Sequence, residues 1–155
     1  MNENRDKCFV RSFRTPGVVS LEERYKYQYP IIMKYLLAKI AGKSIGDGLR
    51  TFGEGKIVLY SVTEITKMVC DDLIASNEEK MIKCICDRNA NDYKNGYRKY
   101  DVISPDSMLE LQKKGEVDCI MICNVFREHE IIEDLVSMGI PLQKIVHIVD
   151  VIYWL

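Results

Sequence analysis

Histidine is nearly absent from this chain: 155 residues contain only His129 and His147. With so little imidazole and no paired CxxC knuckles, the common zinc architectures are excluded. Net charge is nearly absent as well. Lys plus Arg number 22 against 23 Asp plus Glu, a formal charge of -1, so no global field draws the chain to nucleic-acid phosphates or anionic lipid. No apolar run reaches the roughly 20 residues that cross a bilayer. The polar start MNENRDKCFVRSFRTPG lacks the apolar stretch of a secretory signal. The six cysteines, Cys8, Cys70, Cys84, Cys86, Cys119 and Cys123, sit mostly inside apolar runs, not in loops that a disulfide framework would staple. These absences together point to a soluble, cytoplasmic protein with reduced thiols, no membrane span and no nucleic-acid partner.

What is present is a globular composition, 47% hydrophobic and 29% charged, which excludes a disordered or fibrous chain. The length suits one core with an appendage. The expected division is an N-terminal arm and helical extension over 1–54 and an α/β domain over 55–155. Residues 1–17 mix charges with Phe9, Val10 and Phe13 and close on Thr15-Pro16-Gly17, an arm without assigned chemistry. From Ser20 the pattern SLEERYKYQYPIIMKYLLAKIAG predicts helix. Ser20 and Glu23 form a capping box, Gly42 is a stop, and Pro30 divides the helix in two. Residues 43–55, with Gly46, Gly48, Gly53 and Gly55, read as a linker.

Beyond the linker the period changes. Residues 56–60 (KIVLY) read as a buried strand, followed by a helix over 63–75 with Ile65, Met68, Val69, Asp72 and Leu73 at helical spacing. A second strand spans 81–86. Residues 87–100 (DRNANDYKNGYRKY) are polar and turn-rich and read as a long loop. A short strand at Val102-Ile103 leads through Ser104-Pro105 into a helix to Lys114, with Pro105 suited to the first turn. A strand over 117–123, a helix over 128–138 stopped by Gly139, and a strand over 144–149 complete the series. This order predicts a Rossmann-like open parallel sheet of about five strands with an N-terminal helical extension. Ligands of such sheets bind at the strand carboxyl ends, where strand order reverses. Here that edge comprises 61–64, 87–89 and 124–127.

Four segments carry a family likeness: KIVLYSVTEITK, the strand ending ICD at Asp87, DVISPDSML from Asp101, and EIIEDLVSMGIP from Glu130. Over residues 55–149 the chain resembles the Rossmann-like nucleotide-binding domains of bacterial sugar-modifying proteins. These stand at the front of sugar acyltransferases, in capsule-polysaccharide proteins and at the tail of sugar C-methyltransferases. The resemblance implies NAD or a nucleotide-sugar as ligand and a role in surface-sugar biosynthesis. One feature departs from the family: the glycines of the first turn are replaced by Ser61, Val62 and Thr66 around Glu64. Those glycines let the backbone approach a pyrophosphate. Side chains crowd that place here, and Glu64 adds negative charge where a phosphate would meet the helix start, which argues against NAD.

The candidate ligand-binding residues are Ser61, Thr63, Asp87, Arg88 and Asn124. Asp87 ends the second strand, at near the spacing of about 20 residues where a Rossmann carboxylate takes ribose hydroxyls; as a loop-starting aspartate it would instead cap the Asn89 turn. Ser61 and Thr63 offer hydroxyls to a phosphate, with Arg88 or Arg127 supplying positive charge; alternatively Thr63 caps its helix and the arginines are solvated. Cys84 and Cys86 share one face of a strand with no turn to bring both to one ion. His129 has no partner nucleophile in sequence, and His147 falls mid-strand. No catalytic or metal residue is assigned. Tyr25, Tyr27, Tyr29 and Tyr35 crowd one helical region with Ile31, Ile32, Leu36 and Leu37, and the chain ends on DVIYWL, apolar surfaces suited to a homodimer. The expected function is a non-catalytic nucleotide or nucleotide-sugar binding module. The alternative is a degenerate Rossmann scaffold serving as an interaction or regulatory module.

Overall fold

Strand β1 (Ile57–Tyr60) is buried along its whole length, as its unbroken apolar run demands of a strand covered on both faces. The period of two sends its side chains into two separate cores. Ile57 and Leu59 join Val69, Leu73, Ile45, Leu49 and Val151 on one face. Val58 and Tyr60 join Met108, Ile131 and Leu135 on the other. Each fully buried aliphatic side chain contributes about 2 kcal/mol of transfer free energy.

The computed structural model describes residues 20–53 and 55–155; the arm read over 1–17, with Cys8, lies outside the described residues. In chain order the elements are α1 (Leu21–Ile40), α2 (Ile45–Leu49), β1, α3 (Glu64–Ala75), β2 (Ile82–Cys86), β3 (Val102–Ile103), α4 (Pro105–Lys113), β4 (Cys119–Ile122), α5 (Glu128–Ser137), β5 (Ile145–His147) and α6 (Ile148–Trp154). The five strands form one parallel sheet in the order β3-β2-β1-β4-β5. The chain is therefore a Rossmann-like open α/β sheet with an N-terminal helical extension. Strand order reverses between β1 and β4, which places the switch point beside Tyr60.

Register aligns the carboxyl ends of the three central strands. Tyr60 stands opposite Cys86 on one side and Ile122 on the other. The Ser61 N–H donates to the Cys86 carbonyl at 2.8 Å, and the Cys123 N–H to the Tyr60 carbonyl at 3.0 Å. The turn after β1, the loop after β2 and the loop after β4 thus leave the sheet at one level.

Three expectations from sequence fail. Pro30 does not divide the first helix, for α1 runs unbroken through it. Pro30 is exposed, so water can serve the Lys26 carbonyl that loses its donor, and the buried Ile31 and Ala38 hold the second half in line. The glycine-rich segment after α1 is no linker, since it contains α2, whose Ile45 and Leu49 are fully buried. Its glycines serve close approach: a Cβ on Gly48 would stand 2.7 Å from the Val151 side chain. The last strand stops at His147, which ends β5 and does not lie mid-strand, and DVIYWL is helical. Ile148, Val151, Ile152 and Leu155 are buried at helical spacing in α6 and the residue after it.

Candidate functional site

Ser61, the first residue after β1, has φ 78°, in the left-handed region that favours glycine. The turn therefore keeps a backbone shape of the missing glycines without their sequence. The Ser61 carbonyl accepts from the Thr66 hydroxyl at 2.5 Å, tying the turn to the first coil of α3. Thr63 is the N-cap of that helix: its hydroxyl accepts from the Thr66 N–H at 3.2 Å and donates to the Cys123 carbonyl at 3.0 Å. Both bonds turn it into the fold, in the capping role.

Asp87 reaches across from the end of β2. One carboxylate oxygen accepts from the Val62 N–H at 2.7 Å, the other from the Asn89 N–H at 2.8 Å. Asp87 thus caps the Asn89 turn, and it also supplies an internal anion to the β1 turn. A turn amide of the kind that would face a ligand phosphate is engaged by a side chain of the protein itself. The free lone pairs of the same carboxylate remain acceptors for a hydroxyl.

An open cleft of about 200 Å³ lies at this edge, bordered by Tyr60, Ser61, Asp87, Arg88, Asn124 and Arg127, among others. The Asn124 side-chain oxygen accepts from the Phe126 and Arg127 N–H groups, each at 3.2 Å, and so shapes the approach to α5. Arg88 pairs with Asp134 of α5. Arg127 pairs with Glu130, Nε to carboxylate oxygen at 2.9 Å. Both pairs are about half exposed, and such pairs hold their partners by about 1 kcal/mol or less, so either guanidinium can turn to an incoming anion. Burial pushes the Tyr60 phenol above its ordinary value, with Arg88 beside it pulling the other way.

Four of the five residues read from sequence thus meet at one cleft, and Thr63 does not. Arg127, weighed as an alternative source of charge, borders it. Tyr60, Val62, Asn89 and Ile131 also line it; Val62 and Asn89 fall within the edge read from sequence, and Tyr60 and Ile131 lie outside it. Tyr60 and Val62 flank Ser61 in sequence, which was signal enough; the contribution of Ile131 depends on how α5 lies and has no local signal. Phe126, between Asn124 and Arg127 in sequence, meets α1: Tyr27 packs edge-on against it with ring centroids 6.2 Å apart, and the Arg24 guanidinium lies 5.9 Å from the same ring.

The histidines lie elsewhere. His129 faces Glu133 one turn along α5 at 3.1 Å. The Nδ1 edge of His147 faces Glu128, and burial pushes His147 below its ordinary value, against the pull of Asp150. Cys84 and Cys86 are packed side by side in one core. Among the described residues no group of three His, Cys, Asp or Glu side chains could hold a metal ion, and no helix is long and apolar enough to cross a membrane.

The fold and the cleft define a class, a Rossmann-like α/β sheet open at its switch point. No protein-family model, curated protein or solved structure matches this chain.

Proposed function

We propose that the chain is a non-catalytic binding module for a small nucleotide or nucleotide-sugar, of the kind that its likeness to bacterial sugar-modifying proteins implies. One observation carries this reading: the switch-point edge holds an open polar cleft, not one closed by Val62, Glu64 and the loop after β2. A cleft of about 200 Å³ is smaller than the roughly 300–1,000 Å³ that encloses a whole drug-sized ligand. It suits one sugar or base ring, with the rest of the ligand lying over the rim. In this reading Asp87 and Asn124 take hydroxyls or a base edge, and Arg88 and Arg127 take the phosphate at the mouth. The phosphate is not placed against the amide that Asp87 occupies, which disfavours NAD.

The test is thermal unfolding with UDP-sugars, nucleoside monophosphates, NAD, NADP and S-adenosylmethionine. A ligand at a hundred times its dissociation constant stabilises by about 2.7 kcal/mol. A shift with a UDP-sugar or a monophosphate that Arg127→Ala abolishes is the expected result. No shift with any of them, in a chain that unfolds cooperatively, would sink the reading. A second reading, an interaction module on a degenerate scaffold, is favoured by the exposed apolar side chains of α1.

A further inference from the structure

The two arginines of the cleft come from different elements and are held by one helix. Arg88 follows β2 and pairs with Asp134; Arg127 precedes α5 and pairs with Glu130, Nε to carboxylate oxygen at 2.9 Å. Glu130 and Asp134 are four residues apart on α5, and so are neighbours on one face. Ile131 shares that side of the helix and lines the cleft. At 1.5 Å of rise per residue the two carboxylates hold the guanidinium groups about 6 Å apart.

One phosphate spans that distance. A charge-assisted hydrogen bond from guanidinium to phosphate is about 2.8 Å long, so two of them, made to different oxygens of one phosphorus, cover roughly 6–8 Å. Each guanidinium fork is best used on two oxygens. A phosphate monoester presents three unesterified oxygens to share between two forks, whereas a phosphorus esterified on both sides presents only two.

Charge gives the same answer. Each arginine that turns to the ligand leaves a carboxylate behind, so two negative charges must arrive in place of two. A monoester brings about −1.5 to −2 at pH 7 on a single phosphorus. Glu130 and Asp134 are partly exposed, so water takes over their charge and no buried ion is left unpaired. The second phosphorus of a nucleotide-sugar has no equivalent place. Inward it meets the Asp87 carboxylate, which already accepts from the Val62 N–H at 2.7 Å, and among the described residues no third cation borders the cleft.

We propose that the cleft takes a phosphate monoester borne on one ring, and that the phosphate binds by displacing Asp134 from Arg88 and Glu130 from Arg127. The two carboxylates are resident counterions that set the affinity of the site. The proposal rests on the binding-module reading and narrows it to a sugar phosphate or a nucleoside monophosphate.

Isothermal titration of the full chain with glucose 1-phosphate, UMP, UDP-glucose and inorganic phosphate tests it, because UDP-glucose carries both of the first two with their phosphates capped. At least one of the two monoesters should bind about tenfold or more tightly than UDP-glucose, the loss expected when a charged hydrogen bond goes unmade. Glu130→Gln and Asp134→Asn together should tighten that monoester roughly fivefold, as release from exposed pairs implies. Glu133→Gln removes a carboxylate of the same helix that faces His129 and should change nothing. Circular dichroism confirms that the variants are folded. Glucose 1-phosphate without UMP names a sugar phosphate and UMP alone a nucleotide; either upholds the proposal. UDP-glucose binding as tightly as the monoesters, or a folded double variant that binds no tighter, overturns it and leaves the binding module standing. Inorganic phosphate binding as tightly as the monoesters also overturns it, since the ring then contributes nothing, and so does a gain that Glu133→Gln reproduces. No binding by any of the four overturns the proposal and the binding reading together.

Discussion

Ser61 holds a conformation that suits glycine, at φ 78°, with a side chain that costs it roughly 1–2 kcal/mol there. Ser61→Gly relieves that strain but adds freedom to the unfolded chain, worth about 0.5–1 kcal/mol against it. Urea unfolding should show a net gain of about 0.5 kcal/mol, whereas Ser61→Val, β-branched and bulkier, should lose at least about 1 kcal/mol. A loss on Ser61→Gly would mean that the hydroxyl holds the turn more strongly than the backbone strains it. Sequence shows that the glycines are gone, and it places Ser61, Asp87, Arg88 and Asn124 at the carboxyl ends of the strands because strand ends are legible from apolar runs. It could not show that the turn keeps its shape without glycine, since that shape is held by the Thr66 hydroxyl, which donates to Ser61, and by the Cys86 carbonyl, which accepts from it, and both belong to other elements.

At the scale of elements, one carboxylate binds the N-terminal helices to the sheet. Asp72 of α3 is 3% exposed and accepts from the Ile45 N–H at 2.7 Å, from Tyr35 at 2.9 Å and from Lys39. Burial and Asp72 together push the Tyr35 phenol far above its ordinary value. Removing the carboxylate orphans a buried amide, a phenol and an ammonium at once, so Asp72→Ala should cost about 3 kcal/mol or more. Limited proteolysis should then open the chain first between α1 and β1. Global unfolding with no early cleavage there would show that the extension and the sheet part only together. In sequence Asp72 reads as one more position on the apolar stripe of a helix, and nothing local announces its three partners. The glycines near α2 misled for a related reason: glycine signals flexibility to local reasoning, while here Gly46 and Gly48 admit the side chains of Glu78 and Val151. The signals that would have corrected the reading were the Ser44 and Asp47 capping box and, at the chain end, apolar residues spaced as 148, 151, 152 and 155.

Across the whole molecule the thiols report on packing. Cys70, Cys84, Cys86, Cys119 and Cys123 are all buried and free. Burial pushes Cys84 up to about 11, Cys70 and Cys123 up to about 12, and Cys86 higher still. Since the thiolate is the reactive form, alkylation at pH 8 followed by mass mapping should leave these five unmodified until the chain unfolds; rapid labelling of any one in the native state would contradict its burial. The same shifts set the response to alkali. An acid whose value is raised by folding stabilises fully below its unfolded value of 9.0, and that stability is lost as pH rises toward 12. The unfolding free energy should therefore fall steadily above pH 9, with no matching fall between pH 7 and 8.

The sheet ends on both sides in very short strands, Val102–Ile103 and Ile145–His147. A flat, long border of unpaired amides and carbonyls would invite another chain to add itself strand by strand without limit. Two or three residues give such a chain almost nothing to grip. Both borders of the sheet are thereby poor templates for open-ended growth.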